Sequence, residues 1–225
     1  MKGDKHLQLI SFKPENYVIE SANLIGQFIQ LLIKEKTQIS IALSGGNSPL
    51  PIYKKLSLLE LDWDRIKFFL VDERCVSISD PQSNYGNIEK RFFSMIPSKS
   101  YPMVTYPMNF KEQALEYQNK IKLHVPLSKG IPQFDLIILG MGLDGHTASL
   151  FPKTKALKNR NDLVVLNEVP QLQTERITMT YPLLENAKNI ILIAPGNEKK
   201  KVLTNLNKNK HPITRLIPKI EKILN

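Results

Sequence analysis

A histidine two residues after an aspartate, inside Gly142-Leu143-Asp144-Gly145-His146, is the stretch of this sequence best equipped for chemistry. An imidazole titrates near neutral pH and can take a proton from water. The same ring could instead satisfy backbone groups of its own loop. Upstream, Ser44-Gly45-Gly46-Asn47-Ser48 gathers glycines and hydroxyls ahead of Pro49. Glycines let backbone N–H groups approach an anion, and a helix starting there adds partial positive charge. Phosphate binding explains this stretch about as well as a glycine turn capped by Asn47 or Ser48. Asp72-Glu73-Arg74 brings two acids and an arginine together, as a substrate clamp, an acid–base group or an ion-paired loop. Arg176 and Lys199 are further anion ligands by type: arginine grips phosphate bidentately, and lysine does so as a point charge. Lys199-Lys200-Lys201 fits a solvated face equally well.

Other patterns point elsewhere with less force. Gly140-Met141-Gly142-Leu143-Asp144-Gly145 satisfies the dinucleotide pattern G-x-G-x-x-G. Pro152 follows too soon for the crossover helix that pattern needs, and no acidic strand end follows at the expected place. No His, Cys and acid cluster has metal-ligand spacing. Cys75, the one cysteine, sits beside Arg74 with no histidine in the motif, which suits a bystander thiol. His6, His124 and His211 suit solvent or packing roles.

Regular elements must hold these residues in place. Val18, Ala22, Ile25, Ile29 and Leu32 recur on one helical face. Strand-like apolar runs are expected at 39–43, 66–71, 134–139, 164–166, 177–180 and 190–194. Helices are expected after Pro49 (Ile52, Tyr53, Leu56) and over 87–95, 112–123, 182–187 and 197–206. Asp72-Glu73-Arg74 reads as a loop ending the second strand. Arg176 begins a strand and Lys199 a helix. Apolar strands separated by helices indicate an α/β fold: three layers, a mostly parallel sheet with helices on both faces. Ligands bind such sheets beyond the strands' carboxyl ends. The Ser44, Asp72 and Gly140 stretches each follow a strand, so parallel strands bring all three to one edge. Residues 1–225 show no repeat, linker or boundary, and a single domain is expected.

Composition sets the outer bounds. The chain has 225 residues, 42% hydrophobic and 23% charged, enough for a core without disulfides. No apolar run approaches the roughly 20 residues of a membrane helix. The opening MKGDKHLQLISF lacks a signal-peptide apolar stretch, which suggests a soluble, cytoplasmic protein with no membrane partner. The net charge of +10 could serve nucleic acid, an acidic surface or a small anion. Arginine occurs only at 65, 74, 91, 160, 176 and 215; 31 basic residues less these 6 leave 25 lysines. Spread lysine is mostly a solvation device, so nucleic acid is not expected as a partner.

Taken in order, ALSGGNSP, FFLVDERCV with Ser83-Asn84, FDLIILGMGLDGHTASLFP, ERITMTYPLL and Gly196 with Lys199 resemble the 6-phosphogluconolactonases. These share a wider group with the glucosamine-6-phosphate isomerases/deaminases. The likeness runs from about 39 to 203. Deaminases continue the DGH core with Asn-Glu-Pro and carry Asp-Glu-Tyr at the earlier site. This chain has Ala148-Ser149-Leu150-Phe151-Pro152 and Asp72-Glu73-Arg74 instead. The resemblance implies a Rossmann-like domain of the sugar-phosphate isomerase type. It also implies hydrolysis of 6-phospho-D-glucono-1,5-lactone in the oxidative pentose phosphate pathway, without an organic cofactor or metal. By the same resemblance, His146 is the general base and Asp144 shapes its loop. Ser44, Gly45, Gly46, Arg176 and Lys199 cradle the phosphate, and Arg74 and Asn84 face the substrate. Lactonases commonly end in a tryptophan-bearing segment. This chain ends in Pro212-Ile213-Thr214-Arg215-Leu216 and onward without one, which puts packing of the tail in question.

Overall fold

The computed structural model describes residues 7–205 and 211–225. In chain order the elements begin with β1 (Gln8–Ile10), α1 (Tyr17–Glu35), β2 (Ile39–Leu43) and α2 (Pro49–Leu56). Next come β3 (Ile66–Leu70), β4 (Asp72–Arg74), α3 (Asn84–Arg91), β5 (Lys99–Ser100) and α4 (Phe110–His124). After them lie β6 (Leu127–Ser128), β7 (Ile131–Pro132), β8 (Leu136–Gly140), β9 (Val164–Val169) and β10 (Thr174–Met179). The chain closes with α5 (Tyr181–Glu185), β11 (Ile190–Ile193), α6 (Asn197–Thr204) and β12 (Ile220–Leu224).

The main sheet has seven strands in the order β1-β12-β11-β8-β2-β3-β5, and every pairing in it is parallel. Its central strands are apolar without alternation because both faces are covered. Two neighbours on β3 show this. Phe68 packs against Trp63, Phe92 and Phe93, whereas Phe69 turns the other way onto Tyr101, Tyr117 of α4 and Phe134. Successive strand residues point to opposite faces, so aromatic layers flank the sheet on both sides. α1 supplies Ala22, Ile25 and Ile29, each buried, on the face its spacing predicts. Pro49 occupies the first turn of α2, as expected, but Ser48 makes no side-chain cap.

The structure corrects the sequence reading in several places. Asp72-Glu73-Arg74 is a strand, not a loop. β4, β10 and β9 form a separate antiparallel sheet, so the runs at 164–166 and 177–180 do not join the parallel one. A three-residue strand carrying two acids and an arginine has no apolar pattern to betray it. α3 starts at Asn84, three residues earlier than expected. Its first N–H groups are taken by Glu73, whose carboxylate accepts from Asn84 N and Tyr85 N at 2.7 Å each, and by Ser83 Oγ, which accepts from Gly86 N at 3.0 Å. A cap supplied from eleven residues away leaves no local signal. β1 and β12 are not expected from the sequence either: β1 has only three residues and pairs with β12 from the opposite end of the chain, and β12 carries Glu221 and Lys222 among its apolar residues. The tail packs well without tryptophan: Ile213, Leu216 and Leu224 are fully buried. His6 and Leu206 lie outside the described residues. Among the described residues no helix is long and apolar enough to cross a membrane, and no group of acids, histidines and cysteine gathers as a metal site.

Candidate active site

β8, β2 and β3 are adjacent and parallel, with Leu43 in register with Ile138 and Leu70. Their carboxyl ends therefore open on one edge. There Ser44 stitches two strands together: its Oγ accepts from Gly140 N at 3.0 Å, and its N–H donates to Ile138 O at 2.9 Å. Beyond this seam lies a cleft of about 300 Å³. It is lined by Ser44, Gly45, Gly46, Arg74, Asn84, His146, Arg176 and Lys199, eight of the nine residues singled out from the sequence. The ninth, Asp144, stands outside the lining and reaches the cleft through His146.

His146 Nδ1 lies 2.6 Å from Asp144 Oδ1. A carboxylate only accepts, so Nδ1 carries the proton and Nε2 keeps its lone pair. Asp144 Oδ1 also accepts from the His146 backbone N–H at 3.1 Å. Burial raises the Asp144 carboxyl pKa, but the hydrogen bonds and charge of His146 outweigh it and hold the group below the usual carboxylate range. The imidazole stacks on Phe151 with ring centroids 4.0 Å apart. Gly142 leaves the space for this pair, since a Cβ there would sit 2.3 Å from His146 Nδ1 and 2.7 Å from Asp144 Oδ1. Gly142→Ala is accordingly expected to tilt the ring and disturb its bond to Asp144. Long-range 15N spectra of the His146 ring check this, and an unchanged Nδ1 signal would show that the ring has room to yield.

On the opposite wall, Arg74 and Arg176 face each other directly across β4 and β10. Like charges so placed repel. Both Nε atoms are buried without a partner. Arg74 Nη1 donates to Gln82 O, which fixes its guanidinium. Burial and then Arg74 depress the Arg176 pKa, with Asp72 and Glu73 opposing them. Lys199 approaches from α6, its Nζ donating to Ser48 Oγ at 3.3 Å, and burial lowers its pKa as well. Three cations with spare donors line the cleft together with Gly46, whose φ is +98°, an arrangement able to receive an anion.

Asn84 closes the floor. Its Nδ2 donates to Asp72 O at 2.9 Å, while its buried Oδ1 has no partner. Gly45 is required here, because a Cβ would lie 2.0 Å from that Oδ1. Glu73 belongs to the helix cap, not to the cleft. Cys75 lies outside the lining, and burial pushes its thiol up to about 12, as befits a bystander. Asp72, read from the sequence only as part of Asp72-Glu73-Arg74, lines the cleft and accepts from Ser149 Oγ at 2.6 Å, while the packing partner Phe151 was missed. His211, expected in a solvent or packing role, packs against Gly145 and also reaches Asp144 O through Nδ1.

Residues 13–224 match the family model described as glucosamine-6-phosphate isomerases/6-phosphogluconolactonase. The chain belongs to this family. A 6-phosphogluconolactonase from Chlamydia pneumoniae is 38% identical over 176 residues, which are 76% of this chain and 66% of that relative. One from Thermotoga maritima is 34% identical over 198 residues, 87% of this chain and 86% of the relative. The crystal structure of a Thermotoga maritima 6-phosphogluconolactonase superposes with a TM-score of 0.81 at 30% identity, covering 97% of both chains. A Shewanella baltica 6-phosphogluconolactonase, TM-score 0.86 at 23% identity over 98% of both chains, shares the fold.

Proposed function

We propose that this family member is a 6-phosphogluconolactonase, hydrolysing 6-phospho-D-glucono-1,5-lactone to 6-phosphogluconate as one cytoplasmic domain of the oxidative pentose phosphate pathway. The observation that carries the reading is the pairing, in one cleft, of a carboxylate-oriented histidine with unsatisfied arginines. A lactone carbonyl is already activated. It needs a placed water, a base and stabilisation of the oxyanion, and no serine or cysteine nucleophile.

Lys199, Arg176 and the Ser44-Gly45-Gly46 turn hold the phosphate. Binding energy from that remote group fixes C1 before His146. Nε2 of His146 takes a proton from water as the oxygen attacks C1, and Asp144 stabilises the imidazolium formed. Arg74 faces the developing oxyanion. The tetrahedral intermediate collapses, the C1–O5 bond breaks, and the imidazolium returns its proton to O5. Water and lactone are consumed, and the product acid ionises in solution. The unpartnered Oδ1 of Asn84 accepts from a sugar hydroxyl.

The test is acid release from freshly generated 6-phosphogluconolactone, corrected for spontaneous opening, with ammonia release from glucosamine-6-phosphate in parallel. Acceleration of the first alone is expected. Acceleration of the second alone would replace the lactonase with a deaminase.

A further inference from the structure

The two peptide groups that separate Asp144 from His146 are held by a segment far along the chain. His211 Nδ1 lies 3.0 Å from Asp144 O. A carbonyl only accepts, so the His211 ring donates. Two residues later, Ile213 N donates to the next carbonyl, Gly145 O, at 3.0 Å. The base of the His211 side chain also packs against Gly145, where a Cβ would fall 2.5 Å from His211 Cβ and Cγ. Gly145 has φ +76°, so contact and conformation both demand glycine there.

The clamp itself is anchored. Ile213 and Leu216 are fully buried, and Tyr181 Oη donates to Pro212 O at 2.7 Å. On its other side, among the described residues, the loop's hydrogen bonds run to itself and to its own strand, through Gly145 N to Gly142 O at 3.0 Å, Gly142 N to His146 O at 2.9 Å and Thr147 Oγ1 to Gly140 O at 2.8 Å. Without His211 the Asp144 carbonyl loses its donor, and the peptide that follows Asp144 is held only through Gly145 N to Gly142 O.

We infer that His211 is a positioning residue: through the Asp144 carbonyl and Gly145 it sets the angle at which Asp144 presents His146 to the cleft. It touches no substrate. The anion ligands Arg176, Lys199 and Ser44 lie on other elements, so its effect falls on kcat and spares KM. This inference rests on the lactonase reading for its kinetic arm and on geometry alone for its spectroscopic arm.

The experiment compares His211→Ala, His211→Leu and His211→Asn with the wild type. Leucine keeps bulk without a donor, and asparagine places an amide N–H near the position of Nδ1. In Ala and Leu, kcat is expected to fall about 10-fold with KM within twofold, short of the loss from deleting the base itself. Asn is expected to recover most of that loss. In substrate-free protein, long-range 15N correlation spectra should show the His146 Nδ1 signal moving in Ala and Leu and returning in Asn. Unchanged kcat in Leu, a rise in KM with kcat constant, or an Asn variant no better than Leu at equal Tm would overturn the inference. So would a His146 Nδ1 signal that ignores all three substitutions, and that outcome counts against the clamp even if the wild type proves inactive on the lactone.

Discussion

Replacing His146 with alanine should slow lactone turnover by about 10²–10⁴-fold, the range a positioned general base contributes, while phosphate binding persists. The prediction follows from atoms. Nδ1 is committed to Asp144 at 2.6 Å, so Nε2 is the basic nitrogen, and the ring lines the cleft. Arg176, Lys199 and the Ser44 turn make no hydrogen bond to His146, so KM should move little. The Phe151 stack and the Nδ1 bond to Asp144 are lost with the ring. Single-turnover assays corrected for spontaneous opening give the rate, and a thermal-shift titration with inorganic phosphate gives the binding. Turnover within a few-fold of wild type would remove His146 from the mechanism. The sign with pH is also set. The depressed pKa of Asp144 keeps its carboxylate ionised through the ordinary aspartate range, and its support for the pair is lost as pH falls through the folded value.

Arg176→Met should separate stability from function in opposite directions. In the unliganded protein Arg176 is opposed by Arg74 across the strand pair, is partly desolvated, and leaves a buried Nε without a partner. Methionine keeps the aliphatic stem and removes these penalties. Relief of a like-charge cross-strand pair is worth about 0.5–1 kcal/mol, so Tm of the free protein should rise by roughly 2 °C. Binding should suffer by more. A charge-assisted hydrogen bond to phosphate is worth about 1.5–3 kcal/mol, so KM should rise at least about tenfold and stabilisation by phosphate should largely vanish. Measured Tm values with and without phosphate, beside steady-state kinetics, decide it. A fall in unliganded Tm together with an unchanged KM would make Arg176 an ordinary structural residue. Proteins keep such strained charge pairs where a ligand relieves them.

Much of this site was legible in the sequence, and the reason is local. Glycine, histidine and aspartate at short spacing specify a loop and its proton chemistry together, and the apolar runs beside them specify strands. Ser44, Gly45, Gly46 and His146 line one cleft because β2 and β8 are adjacent and parallel, whereas Arg74, Asn84, Arg176 and Lys199 reach it from β4, α3, β10 and α6. The glycines have their explanation only in three dimensions. Gly45 makes way for Asn84, and Gly142 for His146, at distances no pattern encodes.

What the sequence determined by itself is the parallel α/β core, through apolar runs that bury both faces of each strand, and the residue types of the anion site. Tertiary structure alone decided the rest. It set Arg74 against Arg176, through a strand too short and too polar to recognise. It gave Glu73 to a helix cap and not to chemistry. It also brought His211 against Asp144, 67 residues away. Periodicity reports how a residue relates to its neighbours along the chain. Capping, charge opposition and clamping depend on approach between distant segments, which only the folded chain defines.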